Sequence, residues 1–211
     1  ILGINYNVAG LTLAAKYEFK TSLNIANKTE KNSDPEGALA DFKDGVNTPS
    51  DIPSMLSVAV GYKFTPRLRA TLEYHFYDDK HAGMAHVDGG TEGKEKALTH
   101  GTSEFLAGAE FDVNKLITVS AGAQRTDYGL SDGFQTNTAF SCDSWSVGLG
   151  AALNLSSKVK LNVGYFWTMY DDYTKNVAAS ATGGYNGTTM AGKDVYSRTN
   201  KVFGVGVDYK F

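Results

Sequence analysis

The chain has 211 residues, a formal net charge of −3 and 42% hydrophobic residues, which excludes wholesale disorder and a basic nucleic-acid-binding surface. Gly (23), Tyr (12) and Phe (11) are abundant and Pro (4) is scarce, a composition suited to strands rather than helices. The single cysteine, Cys142, excludes an intrachain disulfide and reads as a loop thiol without a role, and no apolar run of about 18 residues exists to form a spanning helix.

From the start of the chain, apolar side chains recur at every second position. Leu2, Ile4, Tyr6 and Val8 oppose Gly3, Asn5 and Asn7. Leu11, Leu13, Tyr17 and Phe19 oppose Thr12, Lys16, Glu18 and Lys20. The same split recurs at 56–64, 68–76, 105–113, 117–124, 145–155, 159–169 and 202–211, which predicts nine strands. Most approach the roughly 10 residues that a tilted membrane strand requires.

The connections alternate in length. Ala9-Gly10, Thr65-Pro66-Arg67, Asn114-Lys115 and Ser156-Ser157-Lys158 read as tight turns. Long polar connections fall at about 24–53, 78–102, 128–143 and 171–200. Short turns at one end and long loops at the other are the pattern of an up-and-down outer-membrane barrel, whose long loops face outward. A soluble sandwich has no reason to alternate so strictly, and a lipocalin-like barrel needs only about eight strands.

The polar face carries Lys16, Glu18, Arg69, Glu73, Glu110 and Lys160 among glycines. The apolar face carries aromatics near strand ends, Tyr62, Phe64, Tyr74, Phe111, Trp145, Trp167 and Tyr209 among them. Bulky side chains toward lipid and polar ones toward a lumen fit membrane insertion. The expected fold is therefore an all-β transmembrane antiparallel barrel, with residues 1–211 as a single domain. A ninth strand running from the long-loop end to the short-turn end gives an odd count, whereas bacterial single-chain barrels have an even one. Together with a start inside an alternating segment and no initiator Met, this implies that an N-terminal part of the same barrel is absent from this chain.

The stretch Asp51-Ile52-Pro53-Ser54-Met55-Leu56-Ser57-Val58-Ala59-Val60-Gly61-Tyr62, followed by a tight turn and the outgoing strand 68–76, resembles the C-terminal half of FadL-type outer-membrane transporters of long-chain fatty acids and other hydrophobic compounds. Strand and turn order through 104–108, 116–123 and 145–150 is similar to that family, and the terminal Gly204-Val205-Gly206-Val207-Asp208-Tyr209-Lys210-Phe211 matches a signal common to most outer-membrane barrels. The resemblance implies a 14-stranded barrel of which this chain supplies about nine strands. It also implies ATP-independent uptake of hydrophobic ligands. The family's hatch and kinked early strand lie outside this chain, so no family ligand residue carries over.

Lumen-facing Lys16, Lys20, Arg69, Glu73, His75, Glu110 and Lys160 are the candidate ligand-binding residues, because a ligand carboxylate in a barrel needs a cation with few water competitors. The plainer reading is a ladder of cross-strand ion pairs. Asp78, Asp79, Lys80, His81 and His86 form the densest titratable cluster, and Asp171-Asp172-Tyr173 a second, each read first as solvated loop and next as a rim for divalent ions or hydrolysis. Residues 178–192 read as a loop rich in Ala, Gly and Thr. No catalytic residue, metal site, cofactor or nucleic-acid partner is expected; membrane lipid and a hydrophobic small molecule are. The alternative to transport is a structural or adhesive barrel whose loops bind partners.

Overall fold

The computed structural model describes every residue except 35, 38 and 87–91, together with the side chain of residue 41. In chain order the strands are β1 (Leu2–Val8), β2 (Leu11–Glu18), β3 (Asn24–Ala26), β4 (Asn47–Pro49), β5 (Met55–Thr65), β6 (Leu68–Tyr77), β7 (Thr102–Asp112), β8 (Ile117–Asp127), β9 (Ser144–Asn154), β10 (Val159–Tyr170), β11 (Tyr173–Val177), β12 (Gly192–Tyr196) and β13 (Thr199–Tyr209). Among the described residues, the helical segments are short 3₁₀ turns.

Nine of these strands form one sheet in the order β1-β2-β5-β6-β7-β8-β9-β10-β13, every pair antiparallel. The nine strands predicted from alternation are those nine. Their ends differ from the expectation at a few places: β2 stops at Glu18, β7 starts at Thr102, β8 runs on to Asp127 and β13 starts at Thr199. Alternation cannot see the added residues of β7, β8 and β13, because most of them are polar and carry no apolar period. Two hairpins, β3–β4 and β11–β12, stand inside long connections whose sequence reads only as polar loop.

Local chemistry closes the tight turns. Ala9 and Gly10 both have positive φ (46° and 85°), the geometry of a two-residue hairpin whose twist matches that of the strands. In the other three turns one side-chain oxygen does the same work. Thr65 Oγ1 accepts from the N–H groups of Arg67 and Leu68, Asn114 Oδ1 from Leu116 and Ile117, and Ser156 Oγ from Lys158 and Val159.

Among the described residues only Ala82, Leu98, Cys142 and Tyr196 are buried hydrophobics, and all four lie in the long-loop region. The sheet itself leaves one whole face of large apolar side chains uncovered: Leu72 is 60% exposed, Leu149 66% and Phe203 68%. Such a surface far exceeds what a soluble monomer tolerates, so lipid must supply the burial that a second sheet supplies in a sandwich. Aromatics bracket this face. Tyr62 and Phe64 meet edge-to-face at 5.0 Å toward the short-turn end, as do Tyr209 and Phe211 at 5.3 Å, while Tyr74 and Phe105 meet toward the long-loop end. Cations lie over rings at both rims, with Arg67 5.3 Å from Phe111, Arg125 5.8 Å from Trp145 and Lys201 5.3 Å from Trp167.

Candidate functional site: the concave face

Register converts the polar halves of the strands into rows across the concave face. One row runs Gly61–Thr71–Gly108–Gly122–Gly148–Phe166–Val202 from β5 to β13. Its neighbour toward the short turns runs Arg69–Glu110–Ser120–Gly150–Gly164–Gly204. Toward the long loops lies Glu73–Leu106–Gln124–Ser146–Thr168–Asn200. Together they floor a trough of about 910 Å³ whose lining includes Arg69, Glu73, Leu106, Gln124, Phe166 and Val202.

Glycine makes the trough possible. A Cβ on Gly148 would meet the Phe166 ring at 3.4 Å, so the ring lies against bare backbone. Positions 204 and 206, on the edge strand β13, have nothing within 4 Å of where a Cβ would stand.

The candidate residues sit as follows. Arg69 is ion-paired with Glu110, its direct cross-strand partner, and lies 3.9 Å from Asp112. His75 stands between two carboxylates, Nε2 3.4 Å from Glu73 and Nδ1 3.5 Å from Glu104. Glu104 also accepts from Gln124 at 2.7 Å, Thr126 at 3.2 Å and the Tyr77 hydroxyl at 3.3 Å. Lys16 pairs with Glu18 at 2.7 Å. Lys160 lines an adjoining recess of about 220 Å³ that shares Arg69, Glu110 and Asn162 with the trough. Lys20 departs from its expected lumen position. β2 has already ended, and Lys20 bonds Asp51 at 3.3 Å and the His81 carbonyl at 3.1 Å in the loop region. Sequence spacing does not single out Glu104, Leu106, Phe166 or Val202. A period-two reading treats an apolar residue in the polar register as noise, and only the Phe166–Val202 pairing shows two such residues together.

The long connections pack on one another into a cap. Asp51 accepts the backbone N–H groups of Leu23 and Gly83 at 2.9 Å each, which with Lys20 hold its carboxyl below the usual range. In the densest titratable cluster, Asp79 accepts from the Thr102 N–H and hydroxyl, Lys80 caps the carbonyls of Leu98 and Thr99, and His81 pairs with Asp78 at 2.6 Å. These four side chains serve loop structure, and His86 bridges Gly93 through its backbone; residues 87–91 of that connection lie outside the described ones. Asp171, from the second cluster, bonds Arg125 at 2.6 Å, and Tyr173 donates to Asp132 at 2.9 Å. Among the described residues no group of three or more His, Cys, Asp or Glu has the arrangement of a metal site.

Residues 9–211 match the family model for the outer membrane protein beta-barrel domain. No curated protein matches the chain in sequence. Among solved structures, a Pseudomonas aeruginosa FadL homologue is similar at 13% identity and a TM-score of 0.71, over 98% of this chain and 51% of that one. The P. putida toluene transporter TodX is similar at 12% identity and a TM-score of 0.56, over 99% and 48%. The Ralstonia pickettii toluene transporter TbuX follows at 11% and 0.52, over 98% and 46%. At these identities the likeness is one of fold, and the chain spans about half the length of these structures. Lipid-facing aromatics, a polar concave face, alternating turn lengths and the family match over residues 9–211 agree: the chain belongs to the outer membrane protein beta-barrel domain family and crosses the outer membrane on multiple strands.

Proposed function

We propose that this chain is one domain, residues 1–211, forming the C-terminal portion of a larger barrel that takes up hydrophobic small molecules by passive diffusion. The trough carries the reading: a glycine floor with Leu106, Phe166 and Val202 gives apolar contact on the inner side of a wall whose outer side already faces lipid. β1 and β13 run in the same direction and neither has a second neighbour among the described residues. An unpaired edge in hydrocarbon is too costly to persist, so closure requires an odd number of further antiparallel strands between them. Long-chain fatty acids are the ligand class that the sequence resemblance implies, and the toluene transporters of similar fold add small aromatics to it. The lumen-facing candidates Lys16, Arg69, Glu73, His75, Glu110 and Lys160 would then shape ligand passage rather than catalyse. No enzymatic step is proposed.

The test is uptake. Cells producing the full natural protein should take up labelled oleate or toluene faster than cells without it, and ATP depletion should leave the outer-membrane step unchanged. Equal uptake by both strains would overturn the reading. The second reading, a barrel whose loops bind partners, draws on the packed cap around Cys142 and Tyr196. It is favoured if uptake is unchanged while cells gain adhesion.

A further inference from the structure

We infer that the outward face of the first long hairpin is a contact surface for a second copy of this protein in the same membrane, with Phe19, Leu23, Ile25 and Ile52 at its centre. The inference is independent of the transport reading.

Register carries it first. β2 pairs with β5 from Leu11–Tyr62 to Glu18–Met55, and the same one-for-one pairing continues through Thr21–Ile52 to Asn24–Pro49 and Ala26–Asn47 without a bulge. β3 and β4 therefore prolong the β2–β5 hairpin beyond the end of the sheet as a stem, residues 19–27 and 46–54. An unbroken register keeps the alternation of side chains, so positions continuing the lipid-facing set of β2 and β5 face the same way in the stem.

The two sides of the stem differ. The inward side is fixed to the connection after β6: Asp51 accepts the Gly83 N–H at 2.9 Å, donates its own N–H to the Gly83 carbonyl at 2.9 Å and holds Lys20 at 3.3 Å. The outward side carries Phe19, Leu23, Ile25 and Ile52, each between 46% and 58% exposed, with only serines and threonines at the outward positions between them. A firm support behind an uncovered apolar face favours docking, because little ordering remains to be lost on contact.

Height and charge choose the occupant. A tilted membrane strand climbs roughly 2.6 Å per residue, so Val159 to Met169 on β10 rises about 26 Å, close to the ~25 Å apolar band of such barrels. Leu11 to Ile25 rises about 36 Å by the same measure, which lifts the top of the stem roughly 10 Å clear of hydrocarbon. Phosphorylated headgroups at that level meet no cation there, since no outward position of the stem is charged. The stem face is continuous with lipid-facing Tyr17 and Leu56 below it, so a partner approaches sideways, in the plane of the membrane. A second copy presents the same uncharged face at the same height, and a two-fold axis along the membrane normal sets one against the other.

The experiment uses outer membranes enriched in the full natural protein carrying Cys142→Ser. A short bis-maleimide should link Ile52→Cys into dimers and leave Leu149→Cys, on the lipid face of β9, monomeric. Should Ile52→Cys not insert, Leu23→Cys reads the same contact. In sedimentation of the detergent-solubilised protein, Ile25→Asp should raise the dimer dissociation constant at least ~10-fold, because it places two unpaired carboxylates in the contact. Monomers throughout, equal linkage through residues 52 and 149, or an unchanged dissociation constant in Ile25→Asp overturns the inference. Capture of lipid alone, or of a different protein alone, by a photoreactive group at position 25 overturns it as well.

Discussion

Arg69 and Glu110 face each other across the β6–β7 ladder and form an ion pair on the concave face. Their side chains remain 53% and 35% exposed, so the pair works in a wet lumen rather than in a hydrocarbon core. Exposed pairs of this kind contribute about 0–1 kcal/mol. Arg69→Ala should therefore lower the stability of the vesicle-inserted full protein by no more than ~1 kcal/mol in urea unfolding. The exchange Arg69→Glu with Glu110→Arg should restore it. A loss several times larger would mean that the concave face is dry.

The two faces of the wall should respond oppositely to charge. Leu149 lies at the middle of β9 on the lipid side and is 66% exposed there. An arginine near the bilayer midplane costs about 2–4 kcal/mol in a membrane barrel. Leu149→Arg should show a loss of that size, measured by unfolding from vesicles. Gly204→Arg, on the opposite, polar face, should cost under ~1 kcal/mol. Equal costs at the two positions would reverse the assignment of inside and outside.

Inside and outside are legible in the sequence itself, because side-chain alternation survives in every membrane strand and Ala9-Gly10, Asn114 and Ser156 mark their own turns. The apolar part of the trough is not. Phe166 and Leu106 are ordinary apolar residues whose meaning depends on which residues stand beside them, and register is a long-range property that spacing within one strand does not encode. The same holds for Lys20, whose alternation predicts a lumen position although Asp51, far along the chain, draws it into the cap. The β3–β4 and β11–β12 hairpins are held by backbone pairing between polar segments, which leaves no apolar period to read.

Cys142 illustrates what the cap does to a loop residue. It is only 2% exposed, with Sγ 3.5 Å from the Tyr196 carbonyl and the Phe140 ring centred 5.1 Å from that of Tyr196. Burial pushes its thiol pKa up, so the thiolate is scarce at neutral pH. A membrane-impermeant maleimide should label the folded protein at least ~10-fold more slowly than the urea-unfolded one. Phe140→Ala should speed labelling of the folded form. Equally fast labelling of folded and unfolded protein would show that the loops do not pack.

Tyr173 gives the cap a pH dependence. Burial first, and then the hydrogen bond and negative charge of Asp132, push its phenol from the ordinary value near 10 up to about 12. The closed cap favours the neutral phenol, whereas an opened cap lets it ionise at its ordinary pKa. Its stabilising contribution is therefore fully present below about pH 10 and lost as pH rises through about 12. Protease nicking within residues 128–143 and 171–198 should stay low up to about pH 10 and climb above it. Tyr173→Phe, which cannot donate to Asp132, should show more nicking at neutral pH and a flatter rise. Tyr185 and Tyr196 are raised in the same direction, so some rise should persist in the variant. A wild-type profile without any step above about pH 10 would mean that the Tyr173–Asp132 bond does not hold the cap closed.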